Sequence, residues 1–177
     1  MDFRTYQEES RKTAQYPGIG KSVAYPLLGL LGEFGELCEK FKKVLRDNNG
    51  ELTQDRKDGI IGEAGDELWY LFNLYTEAHL DLEKEYVEKE LTEEIKNSLV
   101  KLLVAMHCCI SDIATFCTGE NHVLFSKITE PSNTLLSCLK QICVMCNISI
   151  EDVMQKNIDK LKSRQERNVI KGDGDMR

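Results

Sequence analysis

Apolar residues recur along this chain at helical spacing, and no stretch keeps the two-residue alternation of a strand. Residues 2–15 read as a short polar helix closed by the breakers Tyr16-Pro17-Gly18-Ile19-Gly20. A second helix covers about 25–46 and stops at the turn signal Asp47-Asn48-Asn49-Gly50. Thr53 is the N-cap of a third, which reaches about residue 79 and carries Ile60, Ile61, Ala64, Leu68, Leu71 and Leu74 at helical spacing. Residues 83–96, dominated by Glu83, Glu85, Glu88, Glu90, Glu93 and Glu94, read as an exposed helical entry to the next element. That element is a long amphipathic helix marked by Ile95, Leu99, Leu102, Leu103, Met106, Ile110 and Ile113. It ends at Thr118-Gly119-Glu120-Asn121, and 119–131 reads as loop closed by Pro131. A fifth helix is expected over 132–146, and a sixth starts at Ser149, with Asp152 three residues on, and runs to about 167. The tail, 171–177, reads as irregular. The pattern predicts an all-α helical bundle, as one domain over 1–177.

Length and composition agree with a single globular domain: 177 residues, 41% apolar and 30% charged, with three prolines. The formal charge of −7 disfavours non-specific binding to nucleic acid or to an anionic membrane. The start, Met1-Asp2-Phe3-Arg4-Thr5-Tyr6-Gln7, has no apolar signal core, and apolar runs such as 102–106 are short of a membrane span. Seven cysteines, an odd number, fall mostly among Leu, Ile and Met, the pattern of reduced thiols in a cytoplasmic protein. Cys143-x-x-Cys146 could form half of a zinc site with His107, Cys108 or Cys109, but a second paired element is missing and core packing is the favoured reading.

The chemistry is concentrated in two related pentapeptides, Gly32-Glu33-Phe34-Gly35-Glu36 and Gly62-Glu63-Ala64-Gly65-Asp66. Residues three apart on a helix lie about 60° and about 4.5 Å from each other. Glu33 and Glu36 therefore share a face, as do Glu63 and Asp66, and two adjacent helices would aim four carboxylates at one point. The acids stand among apolar residues, so they are expected to be partly buried and to need a counter-charge. Oxygen donors alone favour Mg²⁺, with Mn²⁺ as a substitute. No histidine has the Glu-x-x-His spacing of a di-iron bundle. The bland alternative is two solvated acidic helix faces. Glycine costs a helix interior about 1 kcal/mol relative to Ala, so Gly32, Gly35, Gly62 and Gly65 suggest close approach of backbone, helix or ligand.

A second candidate is the stripe Asn157, Lys160, Arg164 and Arg167, which suits phosphate oxygens but also ordinary complementarity to a helix C-terminus. Trp69, Tyr70 and Asn73 lie within two turns of Asp66, where they either line a nucleotide pocket or pack the scaffold. Tyr6, Gln7, Thr13 and Tyr16 could close over a base, although a surface helix held by Phe3 and Tyr6 is the simpler reading. Walker, dinucleotide and nucleophile-elbow motifs are absent, and His79, His107 and His122 read as structural.

These motifs resemble the MazG-like all-α nucleoside triphosphate pyrophosphohydrolases, in particular the compact phage-type members. The family signature, Glu-x-x-Glu, a spacer, then Glu-x-x-Asp, is matched by Glu33-x-x-Glu36 and Glu63-x-x-Asp66 with 26 residues between. The flanks 29–37 and 65–71, Asn157-Ile158-Asp159-Lys160-Leu161, the ending from Arg164 through Gly172-Asp173-Gly174-Asp175, and Tyr6-Gln7 with Thr13-Ala14 also match. The likeness covers roughly 3–80 and 147–177, and residues 81–146 exceed the minimal core, adding a helix pair. It implies Mg²⁺-dependent hydrolysis of a (d)NTP to the monophosphate and pyrophosphate. Glu33, Glu36, Glu63 and Asp66 would act as catalytic metal ligands, and Lys160, Arg164, Arg167 and Asn157 would hold phosphate. Glu36 or Glu39 would orient water, because some members carry a further Glu where this chain has Gly32. A homodimer or higher homo-oligomer is implied as well. The competing class is a non-catalytic helical module that binds nucleotide or a protein.

Overall fold

The computed structural model describes residues 1–118 and 126–169. These hold eight α-helices and no strand: α1 (Phe3–Thr13), α2 (Ala24–Asn48), α3 (Gln54–Glu77), α4 (Leu82–Glu85), α5 (Glu93–Lys96), α6 (Leu99–Thr118), α7 (Thr129–Met145) and α8 (Ile150–Glu166). The expected loop over 119–125 and the irregular tail, including Gly172-Asp173-Gly174-Asp175, lie outside the described residues.

Local chemistry sets the helix ends. Asp2 caps α1 by accepting from the Thr5 amide at 2.7 Å. α2 ends at Asn49 in the left-handed region (φ 51°), with the Gly50 amide returning to the Val44 carbonyl at 3.1 Å. Ser149 caps α8, accepting from the Asp152 amide at 3.1 Å while its hydroxyl donates to the Asp152 carboxylate at 2.7 Å. Two expectations need correction. Residues 83–96 are not one helix: six glutamates in close succession repel along a helix. The segment instead forms α4 and α5 joined by a strap laid on α7. Leu82 and Leu91 are buried, the Lys89 amide donates to the Ser137 hydroxyl, and Lys140 donates to the Tyr86 hydroxyl. α7 also begins earlier than expected, so Pro131 lies in its first turn, where the missing N–H has no helical acceptor to lose.

One apolar cluster draws on every layer of the bundle, from Tyr6 in α1 through Leu30, Leu68, Leu82 and Leu135 to Ile158 in α8. The long antiparallel pair α2–α3 is its centre. α1 and α8 pack on one side of α3, and α6 and α7 form the additional pair on the other elements. As one helix, α6 is long and apolar enough to cross a membrane, although its apolar runs are short. Here Leu102, Met106, Ile110 and Ile113 are fully buried in the shared core.

Candidate metal centre and nucleotide site

α2 and α3 bring the two acidic motifs face to face. Carboxylate oxygens of Glu33, Glu36 and Glu63 lie within 4.8 Å of one another. They are graded in depth: Glu36 is exposed, Glu33 half-buried, and Glu63 buried at 3% exposure. Lys40, one turn beyond Glu36 on α2, donates to Glu63 from 2.9 Å. Burial, then the neighbouring charges of Asp66, Glu36 and Glu63, push the Glu33 carboxyl up to about 8, with Lys160 opposing them. Burial and the close packing of like charges thus favour a protonated Glu33 near neutral pH.

The fourth acid, Asp66, stands apart from that trio. Lys160 Nζ lies 2.6 Å from each of its oxygens, and Asn157 Nδ2 donates to Oδ1 at 2.8 Å. Three members of the basic stripe therefore face inward rather than forming a solvated face. Asn157 is 3% exposed, Arg164 is 7% exposed, and Lys160 is half-buried on Asp66. Arg167 is exposed at the end of α8, its Nε donating to the Ser163 carbonyl at 3.3 Å. Glu39 pairs with Lys42 and Lys43 on its own helix, away from the trio's contacts.

Of the three candidates beyond Asp66, Tyr70 reaches the site. Its hydroxyl is held protonated by burial and by the nearby Tyr25 and Glu33. Its ring fills the space a side chain would need at Gly29, where a Cβ would sit 2.1 Å from the ring. Trp69 is buried and donates to Thr13 at 2.9 Å, and Asn73 is fully buried and donates to the Trp69 carbonyl at 3.0 Å. Both therefore act as scaffold in this structure. Close approach was expected at four glycines and, among the described residues, occurs at one of them: a Cβ on Gly65 would meet Asn157 at 3.2 Å, whereas Gly32, Gly35 and Gly62 have nothing within 4 Å.

The N-terminal helix contributes in a way the sequence did not announce. The Tyr6 hydroxyl donates to Asn157 Oδ1 at 2.8 Å, which turns the amide so that Nδ2 faces Asp66. Burial holds the Tyr6 phenol well above its usual range, so it remains a donor. Tyr6 shares the buried face of its helix with Ser10 and Thr13, and a buried tyrosine needs an acceptor. That was the available signal. Gln7 links Thr76, Leu80 and Leu82, and Tyr16 donates to Glu77, which Arg11 also binds at 2.5 Å. None of the four is left to close over a base. Glu67 was also missed: it is fully buried, neither oxygen has a hydrogen-bond partner among the described residues, and burial and then Glu33 push its carboxyl to about 8.

The seven cysteines are free thiols. Burial pushes Cys143 and Cys138 up to about 12, and Cys109 up to about 11, as for thiols packed in a core, and among the described residues no cysteine joins a group of three metal-ligating side chains.

No family model and no solved structure matches the chain. It is 42% identical over 79 residues to the Gene 37 protein of Mycobacterium phage L5, a stretch covering 42% of this chain and 69% of that protein. At that identity and coverage, the chain belongs to the family of the phage L5 Gene 37 protein.

Proposed function

We propose that this chain is a MazG-like, Mg²⁺-dependent nucleoside triphosphate pyrophosphohydrolase that converts (d)NTP to (d)NMP and pyrophosphate. The observation that carries the proposal is the convergence of Glu33, Glu36 and Glu63 within 4.8 Å, beside an Asp66 gripped by Lys160. The donor set fits the group: it is all oxygen and graded from solvent to core, which suits Mg²⁺ or Mn²⁺.

When bound, Mg²⁺ would supply charge neutralisation at phosphate oxygens and a lowered pKa for water. The rest is the work of this chain's side chains. Glu33, Glu36, Glu63 and Asp66 would hold the cation, and Glu36, the exposed member, would meet the incoming water. Lys160 and Arg164 bind the leaving phosphates, with Arg167 at the rim. Asn157 fixes Asp66. Tyr70 forms the wall on the nucleotide side, with Trp69 and Asn73 supporting it from behind.

The reading includes a homodimer or higher homo-oligomer. Leu28 and Leu31 on α2 are 69% and 41% exposed beside the open Gly32 and Gly35, and Val100 and Val104 on α6 are 64% and 56% exposed. Free thiols throughout fit a cytoplasmic location.

The test is pyrophosphate release from a panel of ribo-, deoxy- and modified triphosphates with Mg²⁺. Wild type should release pyrophosphate, and Glu36→Gln and Asp66→Asn should each lose at least about 100-fold in turnover, the scale expected for disrupting metal coordination. Undiminished activity in both variants would end the mechanism. Nucleotide binding without release would favour the non-catalytic module.

A further inference from the structure

Lys160 occupies the carboxylate it is expected to help. Its ammonium lies 2.6 Å from both Asp66 oxygens, and Asn157 takes Oδ1 as well. A carboxylate oxygen has two acceptor positions. Oδ1 is therefore filled, and Oδ2 has one position left, next to an ammonium. A divalent cation shared by Asp66 and Glu33 would lie within a few ångströms of that ammonium, a like-charge contact. Lys160 and the cation are thus alternative partners of Asp66, while the buried Asn157, steadied by Tyr6, can stay with either.

The side chain has somewhere to turn. Lys160 borders a cavity of about 290 Å³ between α3 and α8, whose wall includes Asp58, Gly62, Gly65, Lys156 and Asn157. Gly62 leaves this wall bare, with nothing within 4 Å of where its Cβ would be. Swung into that space, Lys160 would join Lys156, and two ammonium groups suit a phosphate better than one.

The geometry points to Lys160 as an exchangeable positioning residue: the counter-ion of Asp66 until a divalent cation takes its place, and then a ligand for the substrate's phosphates. The inference rests on the metal reading given above, and its test separates the two.

Acetic anhydride labels unpaired lysine amines, and mass spectrometry reads the rate at each site. Labelling of the full chain is compared in EDTA, in Mg²⁺, and in KCl of matched ionic strength. Lys160 labelling should rise at least about threefold with Mg²⁺, because the rate follows the released fraction. Lys84, paired with Asp81 on α4, should be unchanged, and in Asp66→Asn Lys160 should label fast in all three buffers. In a second arm, Lys160→Met should bind Mn²⁺ several-fold more tightly than wild type, since the competitor is gone. Calorimetric Mg²⁺ binding by wild type with unchanged or slower Lys160 labelling would overturn the exchange and leave the metal site standing. Equal or weaker Mn²⁺ binding by Lys160→Met would do the same. No cation binding by wild type would overturn both.

Discussion

Asp66 is fixed by a chain of three side chains drawn from both ends of the sequence, Tyr6 to Asn157 to Asp66. Tyr6→Phe removes the hydroxyl and leaves Asn157 Oδ1 without this donor, so it should cost about 1–3 kcal/mol of stability, read by urea denaturation. It should also weaken Mg²⁺-dependent activity, because the Asn157 amide is no longer held in one orientation. Glu67 works the other way. A carboxyl that is fully buried without a partner among the described residues opposes folding, so Glu67→Met should raise stability by about 1–3 kcal/mol. The pH dependence has a definite sign. The Glu33 and Glu67 carboxyls are each raised to about 8 in the fold, above their ordinary carboxylate range. The folded protein therefore binds more protons than the unfolded chain between that range and about 8. Stability contributed by these groups is present at low pH and is lost as pH rises through about 8. Thermal melts in EDTA should accordingly show a melting temperature that falls from about pH 6 to about pH 9, with a smaller fall in Glu67→Met and in the presence of Mg²⁺. A flat profile would contradict the burial of uncompensated charge.

The packing of α2 on α3 depends on a glycine outside the acidic motifs. Tyr70 lies over Gly29, so Gly29→Ala should force the helices apart or displace the ring, at about 1–3 kcal/mol. Trimming the ring as well, in Gly29→Ala/Tyr70→Ala, should cost less than the sum of the single changes, since the clash is relieved. A double-mutant cycle of denaturation free energies checks this. Helices with strong apolar periodicity, α2, α3, α6 and α8, were legible in the sequence to within a few residues, because burial of one face fixes both type and extent. The strap between α4 and α5 was not. Its glutamates keep a helical appearance on paper, but its partners are the Ser137 hydroxyl and Lys140 on a helix some fifty residues away. Pro131 misled for a related reason: a proline excludes a helix interior but not a first turn.

For the molecule as a whole, the three-residue step puts Glu33 beside Glu36 on α2, and the packing of α2 on α3 brings Glu63, without Asp66, within 4.8 Å of both. What spacing could not reveal is which cations those acids meet, because Lys40 and Lys160 arrive through tertiary packing. The exposed aliphatic side chains of α2 and α6 bear on assembly: light scattering should report about twice the chain mass, and Leu28→Asp with Val104→Asp should shift it toward the monomer. The central claim, that the facing carboxylates of α2 and α3 hold a divalent cation, is tested most directly by titrating the protein with Mn²⁺ and following the electron paramagnetic resonance signal of the free ion. The account predicts saturable loss of that signal, reversed by excess Mg²⁺ and largely abolished in Glu63→Gln. A free-ion signal equal to that of buffer alone, or uptake as strong in Glu63→Gln as in wild type, would contradict it.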